Sequence, residues 1–410
     1  MKILYLTHNG IADHIGQSQI APYLLGLAKL GHDIHLLSLE KPGKDAIIRQ
    51  YQAAFDKADI RWTRLRYHRF PPLAAQLFDT LNLRRTAVAI ARRERPDVVH
   101  CRSYLPIEAG VAVKRATGAK LLIDFRHFYN EGGMKNSRFP FAFRALKKRE
   151  PYYFAHADHV VALTRKATEI LDGWYPSEEG MGRFTVIPCC ADFTMFDPKT
   201  VRKGDAAAAR KQLGIGGDDF VLLYLGTIGP EYLIDEMFDL FAELLKRRPD
   251  ARFLFLCNNG AEEVEEAARR KGVPADRVIV TGVPRSEVPH YLAISSMSVM
   301  FFQPGLNLAG CFPTKLSEVF AFNIPVIANA GIGDLDELLD LEKNCSVAVT
   351  SFTSEALGQA IDHVLECSQA HGDEIRDNSR AFDLPTGVAD YDRIYRKLGA
   401  SRLPTGHAVG

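Results

Sequence analysis

The chain has 410 residues, ordinary apolar and charged fractions and a formal net charge of +1. That length exceeds what one hydrophobic core organises and points to two domains of a globular protein. No apolar run reaches membrane-spanning length, which excludes a transmembrane helix, and no nucleic-acid partner is expected.

Seven cysteines show no metal-like pairing, and two of them, Cys189 and Cys190, are adjacent. That usage points to a reduced, cytoplasmic chain. The near-neutral total conceals an asymmetry: residues 1–190 carry about +11 and the remainder about −10. An arginine-rich stretch runs from Arg61 to Arg95. A second basic group, from Lys135 to Arg149, is interleaved with Phe139, Phe141 and Phe143. Such a mixture suits an anionic membrane surface or an acidic acceptor; a solvated basic face, or one meeting the acidic second half, is the alternative.

The chain opens directly on a buried strand, Ile3 to Thr7. The loop that follows carries Gly10, Asp13, Gly16 and Gln17. A helix then places Ile20, Tyr23, Leu24 and Leu27 on one face, with Pro22 in its first turn; Gly31 ends it, and Ile34 to Leu39 is the next strand. Strand, glycine loop, helix, strand is the opening of a doubly wound sheet, which binds ligands at strand carboxyl ends. Glu40 stands where a ribose-binding acid would. Gly10 and Gly16 do not form Gly-x-Gly-x-x-Gly, however, so a dinucleotide site is not expected.

Asp97 to Ser103 reads as a strand, and a helix from about 106 to 117 leads to another strand, Lys120 to Asp124. At its carboxyl end stands a polar cluster with Asp124, Arg126, His127 and Glu131. Arg126 suits a phosphate or an acidic acceptor, and His127 or Glu131 suits orienting or deprotonating a hydroxyl. A structural Asp124–Arg126 pair with a capping Glu131 is the alternative. His156 and His159 read as a surface pair, because no third metal ligand is near. Phe184 to Pro188 closes the first domain, and residues from about 194 to 215 read as a linker.

The pattern then restarts with the strand Phe220 to Leu225, followed by Gly226 and Thr227, where backbone can approach a phosphate. Strands follow at 252–257 and 277–281, with a turn at Gly282-Val283-Pro284-Arg285, and at 297–302. Pro313 suits the first turn of a helix. Leu316, Val319 and Phe320 form its apolar stripe, and Thr314, Lys315 and Glu318 share another face. The helix start with Lys315 suits an anion, and Glu318, one turn in, can accept two hydrogen bonds from a diol. Phosphate plus diol is a nucleoside diphosphate; an ordinary solvated charged face is the alternative. Asn323 suits a left-handed helix end, and Val326 to Asn329 a short buried strand. Asp334, Asp336 and Glu337 read as a helix start rather than a metal site. Tyr391, Ile394 and Tyr395 mark a closing helix, and residues after about 401 read as disordered.

Pro-Thr-Lys-Leu-x-Glu at 313–318, Pro-Val-Ile-x-Asn at 325–329 and Gly-Ile-Gly-Asp at 331–334 resemble the donor-site segment of glycosyltransferase family 4, a retaining GT-B family. Gly16-Gln-Ser-Gln-Ile-Ala-Pro-Tyr-Leu resembles members that build bacterial surface polysaccharides. Ala-Asp-x-Val-Val-x-Leu-Thr at 157–164 and the Pro188 to Asp192 segment resemble further parts, with Cys190 in the usual glycine position. The resemblance implies an α/β GT-B fold, two Rossmann-like doubly wound domains facing a cleft. Residues 1–193 form the acceptor side, with a crossing helix at about 383–400, and residues 215–382 form the donor domain.

It further implies a metal-independent hexosyltransferase with no cofactor, moving sugar from a nucleotide-sugar to a saccharide or lipid-linked saccharide, cytoplasmic and peripheral to the inner membrane face. The donor would be held by Glu318, Lys315, Thr314, Pro313, Phe312, Gly226, Thr227 and Val283. The catalytic residues would be Arg126, His127 and Glu131, with Asp13, Gly16 and Gln17 in the acceptor-side glycine loop. Two departures stand out. The family's Arg and Lys clamp after the glycine is missing, the next basic residue being Lys246, so Lys315 or a first-domain arginine must substitute. The first acid of Glu-x7-Glu is Gly310, so its role falls to backbone N–H groups around Ala309 to Phe312. These departures motivate one alternative, a non-catalytic GT-B scaffold; a nucleotide-sugar 2-epimerase is another.

Overall fold

Most strands of this chain are rich in Val, Ile, Leu and Phe, the pattern of parallel strands covered on both faces; the strand Arg61–Arg66, with three arginines and no buried residue, is an exception. The computed structural model describes residues 1–400; the expected disordered tail lies outside the described residues. Seven strands, β1 (Lys2–Thr7), β2 (Asp33–Glu40), β3 (Arg61–Arg66), β4 (Val98–Arg102), β5 (Lys120–Phe125), β6 (His159–Ala162) and β7 (Phe184–Val186), form one sheet in the order β3-β2-β1-β4-β5-β6-β7. Six more, β8 (Val221–Leu225), β9 (Arg252–Leu256), β10 (Val278–Thr281), β11 (Met297–Met300), β12 (Val326–Asn329) and β13 (Val347–Val349), form a second in the order β10-β9-β8-β11-β12-β13. Every pairing within both sheets is parallel. Each sheet starts in its middle, grows to one edge and then reverses, between β1 and β4 and between β8 and β11. Such a switch point is where open α/β sheets take ligands.

The chain divides into two units. One comprises Met1–Cys189, Ala309–Cys311 and the chain from Leu384; the other comprises Cys190–Leu308 and Phe312–Asp383. In the first, Leu4, Leu6, Val99 and Ile123 pack against Leu83 and Ala87 of helix Pro72–Glu94 and Val111 and Val113 of helix Ile107–Thr117. The helix Leu384–Ala400 belongs to this unit. Its Tyr395 is fully buried with the hydroxyl 2.7 Å from His100 Nδ1, and its Asp392 lies 2.7 Å from His32 Nε2. In the second unit Phe238 and Phe241 of helix Ile234–Arg247 close over Phe253 and Phe255 of β9.

Three expectations require correction. The stretch read as a linker contains a helix, Lys203–Leu213, because the alanine tract 206–209 is strongly helix-forming and Gly214 ends it at φ +65°. His159 is not a surface residue: β6 is enclosed by β5 and β7, leaving it 3 % exposed with Nε2 2.8 Å from Thr185 Oγ1. The strand expected to reach Phe302 stops at Met300. Beyond it, Asn329 takes over the pairing: its Oδ1 accepts from Phe302 N at 2.7 Å and its Nδ2 donates to Phe302 O at 3.0 Å.

Candidate active site

In the first unit the loop after β1 is shaped from within. Glu40, at the end of β2, accepts from Ile11 N at 2.8 Å, Ala12 N at 3.3 Å and Ser38 Oγ at 2.6 Å. A carboxylate with both oxygens engaged in this way holds a loop, not a ribose. Asp13 pairs with Lys41 at 2.9 Å and Lys44 at 2.7 Å, and Gln17 Nε2 donates to Ala12 O at 3.0 Å. Gly16 starts a single π-turn, Gly16–Ile20, and a Cβ there would lie 2.2 Å from Gly10 O and 2.5 Å from Ile11 Cα. Only glycine fits that close approach of backbone to backbone. The side chain of Gln17 is thus used inside the loop, and that of Asp13 ties the loop to the segment after β2.

Beside the loop lies a cavity of about 350 Å³, lined among others by His8, Ile15, Arg69, Arg102, Arg126 and His127. Arg126 and His127 follow β5, and Arg102 ends β4, so the sheet brings them to one edge. Asp124, fully buried, accepts from Arg102 Nη1 at 3.1 Å and Arg126 Nη1 at 3.2 Å. Burial works to raise this carboxyl, but Arg126, His100 and Arg102 outweigh it and hold it well below the usual carboxylate range. The expected Asp124–Arg126 pair is therefore a triad, with Arg126 also donating to Cys189 Sγ at 3.1 Å. Burial, reinforced by Arg126 and Arg102, pushes His127 down to about 4, so its imidazole is neutral at pH 7. Glu131 does not join this group. It sits on helix Tyr129–Asn136 and pairs with Lys147 Nζ at 2.6 Å.

The second unit holds the other candidate group. In helix Thr314–Phe320, Leu316, Val319 and Phe320 are fully buried, and so, unexpectedly for a charged face, is Glu318 at 2 % exposure. Arg285 Nη1 lies 2.8 Å from Glu318 Oε1, and Lys315 Nζ 3.3 Å from Oε2. Burial opposes ionisation of Glu318, and the two cations overcome it and lower its pKa. Arg285 rests 5.2 Å from the Phe196 ring and opens the short 3₁₀ turn after Val283. Pro313 precedes the helix in extended geometry, and Thr314 is its first residue. Phe312 is buried against Phe382, with centroids 5.4 Å apart. Asn323 ends the helical stretch at φ +58°. Gly226 and Thr227 stand at the carboxyl end of β8, where the Thr227 carbonyl accepts from Tyr224 Oη at 2.5 Å.

Two cations were not singled out from the sequence, Arg102 and Arg285, and Arg69 stood there only as part of the basic stretch from Arg61 to Arg95. Arg102 stood at a strand carboxyl end, the same signal that singled out Arg126. Arg285 was visible only as part of a turn.

Comparison with known proteins bears on the family and the fold. The sequence model described as Glycosyltransferase Family 4 matches residues 23–194, and that described as Glycosyl transferases group 1 matches residues 205–382. A D-inositol 3-phosphate glycosyltransferase of Corynebacterium aurimucosum is 24% identical over 268 residues, 62% of this chain and 60% of that protein; the match thus spans less than two thirds of the relative. Sucrose-phosphate synthase of Thermosynechococcus elongatus superposes with a TM-score of 0.73 at 17% identity, covering 98% of this chain and 99% of that one. Anabaena Alr3699/HepE, solved in complex with UDP-glucose, gives a TM-score of 0.68 at 16% identity, covering 97% and 100%.

Proposed function

The chain belongs to glycosyltransferase family 4 and carries the GT-B fold, and we propose that it is a retaining transferase that moves a sugar from a nucleotide-sugar to a saccharide or lipid-linked saccharide acceptor in glycan synthesis. The observation that carries this reading is the buried Glu318 with a cation on each oxygen. Each Glu318 oxygen accepts from one cation only and keeps a second lone pair, whereas Glu40 is bound by three donors within its own fold; the remaining capacity suits the two ribose hydroxyls, while Arg285 and Lys315 suit the diphosphate. Arg285 thereby fills the place of the missing clamp. Thr314, the backbone at Phe312 and Pro313, and Gly226 with Thr227 complete the donor side, and the Val283 turn takes the base. The complexes of the Anabaena neighbour make UDP the first nucleotide to test.

On this reading the first unit is the acceptor side. Neutral His127 accepts a hydrogen bond from the acceptor hydroxyl, and Arg126 holds an anionic group of the acceptor. Asp124 is enclosed by two arginines and Glu131 is bound to Lys147, so neither is a free nucleophile. A same-face displacement follows, in which the leaving diphosphate takes the acceptor proton and the cations around it stabilise its charge. No helix of the described residues is long and apolar enough to cross a membrane. Exposed Phe70, Phe78 and Phe141, in a unit carrying the positive surplus, suit peripheral binding to an anionic membrane instead.

Calorimetric titration with UDP, GDP, ADP and dTDP tests the donor site. One nucleotide binds, and Glu318→Ala weakens it by about 1–3 kcal/mol, the range for a charge-assisted hydrogen bond. Unchanged affinity in the variant removes Glu318 from the site; absence of binding by any nucleotide returns the chain to the scaffold reading.

A further inference from the structure

The polar cavity of the first unit has an apolar neighbour. A groove of about 380 Å³ is lined by Leu73, Leu77, Leu81, Phe143 and Leu146, with Arg84 and Arg149 also on its wall. The two share Gln76 and Leu105 as lining residues. Between them Tyr129, which faces the polar cavity, stacks on Tyr104, which faces the groove, with centroids 5.7 Å apart and planes 14° apart.

The chemistry of the two compartments is opposite. Arg69, Arg102 and Arg126 line the first and, among the described residues, no carboxylate does; two buried carboxylates, Asp124 and Asp79, are bonded to lining residues from behind. Asp124 is divided between two of those arginines, and Asp79 is taken by the ring of His68 at 2.6 Å and by its backbone N–H at 2.8 Å. His8 Nε2 is buried there without a hydrogen-bond partner. The polar cavity therefore holds surplus positive charge and an unused imidazole nitrogen, which suits an anion. In the groove most polar groups are engaged: Tyr104 Oη donates to Leu146 O at 2.8 Å, Thr80 Oγ1 to Gln76 O at 2.8 Å, and Tyr153 and Arg149 both hold Glu108, while Arg84 is exposed at its wall. Little hydrogen bonding is left for a saccharide or a peptide, whereas a hydrocarbon chain requires none. Leu77 is 61 % exposed and Leu81 38 %, so apolar surface stands uncovered along it.

We infer that the two compartments form one acceptor site for an amphiphile, a phosphate-linked lipid with its phosphate among the arginines and its hydrocarbon tail in the groove. The inference rests on the transferase reading and specifies its acceptor class. Tail and head are recognised on opposite sides of the Tyr104–Tyr129 stack, which places the first sugar or hydroxyl beyond the phosphate near His127.

The test is calorimetric titration of the full chain with farnesyl phosphate below its micellar concentration, with farnesol and inorganic phosphate as partial ligands and UDP in parallel. Farnesyl phosphate binds at least about 10-fold more tightly than either partial ligand. Leu77→Ser with Leu81→Ser, both at exposed positions, removes most of that advantage and leaves inorganic phosphate unaffected; Arg69→Gln weakens both phosphates. Equal affinity for farnesyl phosphate and inorganic phosphate, or no effect of the leucine pair, overturns the inference. If UDP binds while farnesyl phosphate does not, this inference falls and the transferase reading stands. If farnesyl phosphate binds and no nucleotide does, the transferase reading falls and a lipid-phosphate site remains.

Discussion

Individual charges in this protein take their meaning from burial. Lys315 and Glu318 stand three apart on a short helix, a spacing common on solvated surfaces, yet Glu318 is enclosed and holds Arg285 as well. On the proposed reading Glu318→Ala removes the acceptor of the ribose hydroxyls, which is why its effect is expected in nucleotide affinity. His159 obeys the same rule with the opposite sign. Burial pushes it down to about 4, with Lys397 adding to the shift. The unfolded chain takes up a proton near pH 6.5 while the folded chain does not, so stability is complete above about pH 6.5 and is lost as pH falls toward 4. The loss reaches roughly 3 kcal/mol at most. Thermal melts between pH 7 and pH 4.5 should show a declining midpoint for the first unit, and His159→Asn should flatten that slope. His127, pushed down to about 4 as well, contributes in the same direction, so a residual slope is expected, but an unchanged one excludes His159 as a source.

Elements come next. Helix Thr314–Phe320 was legible because its stripe of Leu316, Val319 and Phe320 repeats at helical spacing and Asn323 has the chemistry for a left-handed end. The segment after β11 was not, because its pairing partner is a side chain. Asn329, read from sequence as the end of a strand, satisfies both the N–H and the C=O of Phe302. Asn329→Ala leaves those backbone groups without it and should cost about 1–3 kcal/mol. Chemical denaturation with the second unit followed separately measures this, and a loss under about 0.5 kcal/mol would show that the Phe302 backbone finds other partners. The loop after β1 behaves alike: glycine spacing marked it, but its shape depends on Glu40, 29 residues beyond Ile11.

Over the whole molecule, continuity of the chain and membership of a unit diverge. Helix Leu384–Ala400 is the last element of the described residues yet packs Tyr391 and Tyr395 into the first unit, with His100 and His32 as polar partners of its Tyr395 and Asp392. A chain ending at residue 383 should therefore lower the melting of the first unit while the second keeps its transition. Calorimetry on both chains, with β9 aromatics and β1 reporters resolved by hydrogen exchange, checks this, and a first unit melting unchanged would show that the helix is dispensable.

Most strand positions, the repeated strand–glycine–helix pattern and the two-unit organisation could be read along the chain, because apolar runs, helical spacing and turn residues are local properties; the edge strands β3 and β13 could not. Arg126, His127 and Glu318 could be picked out as candidates, because they stand in a strand-end loop or within a recognisable motif. The electrostatic partners could not. Asp124 is shared by Arg102, 22 residues away, and Glu318 is held by Arg285, 33 residues away. Glu131 left the polar cluster for Lys147. Which charges meet depends on sheet order and on the loops it brings to one edge, and which of them matter depends on how far packing removes them from water. Neither quantity is a property of neighbouring residues.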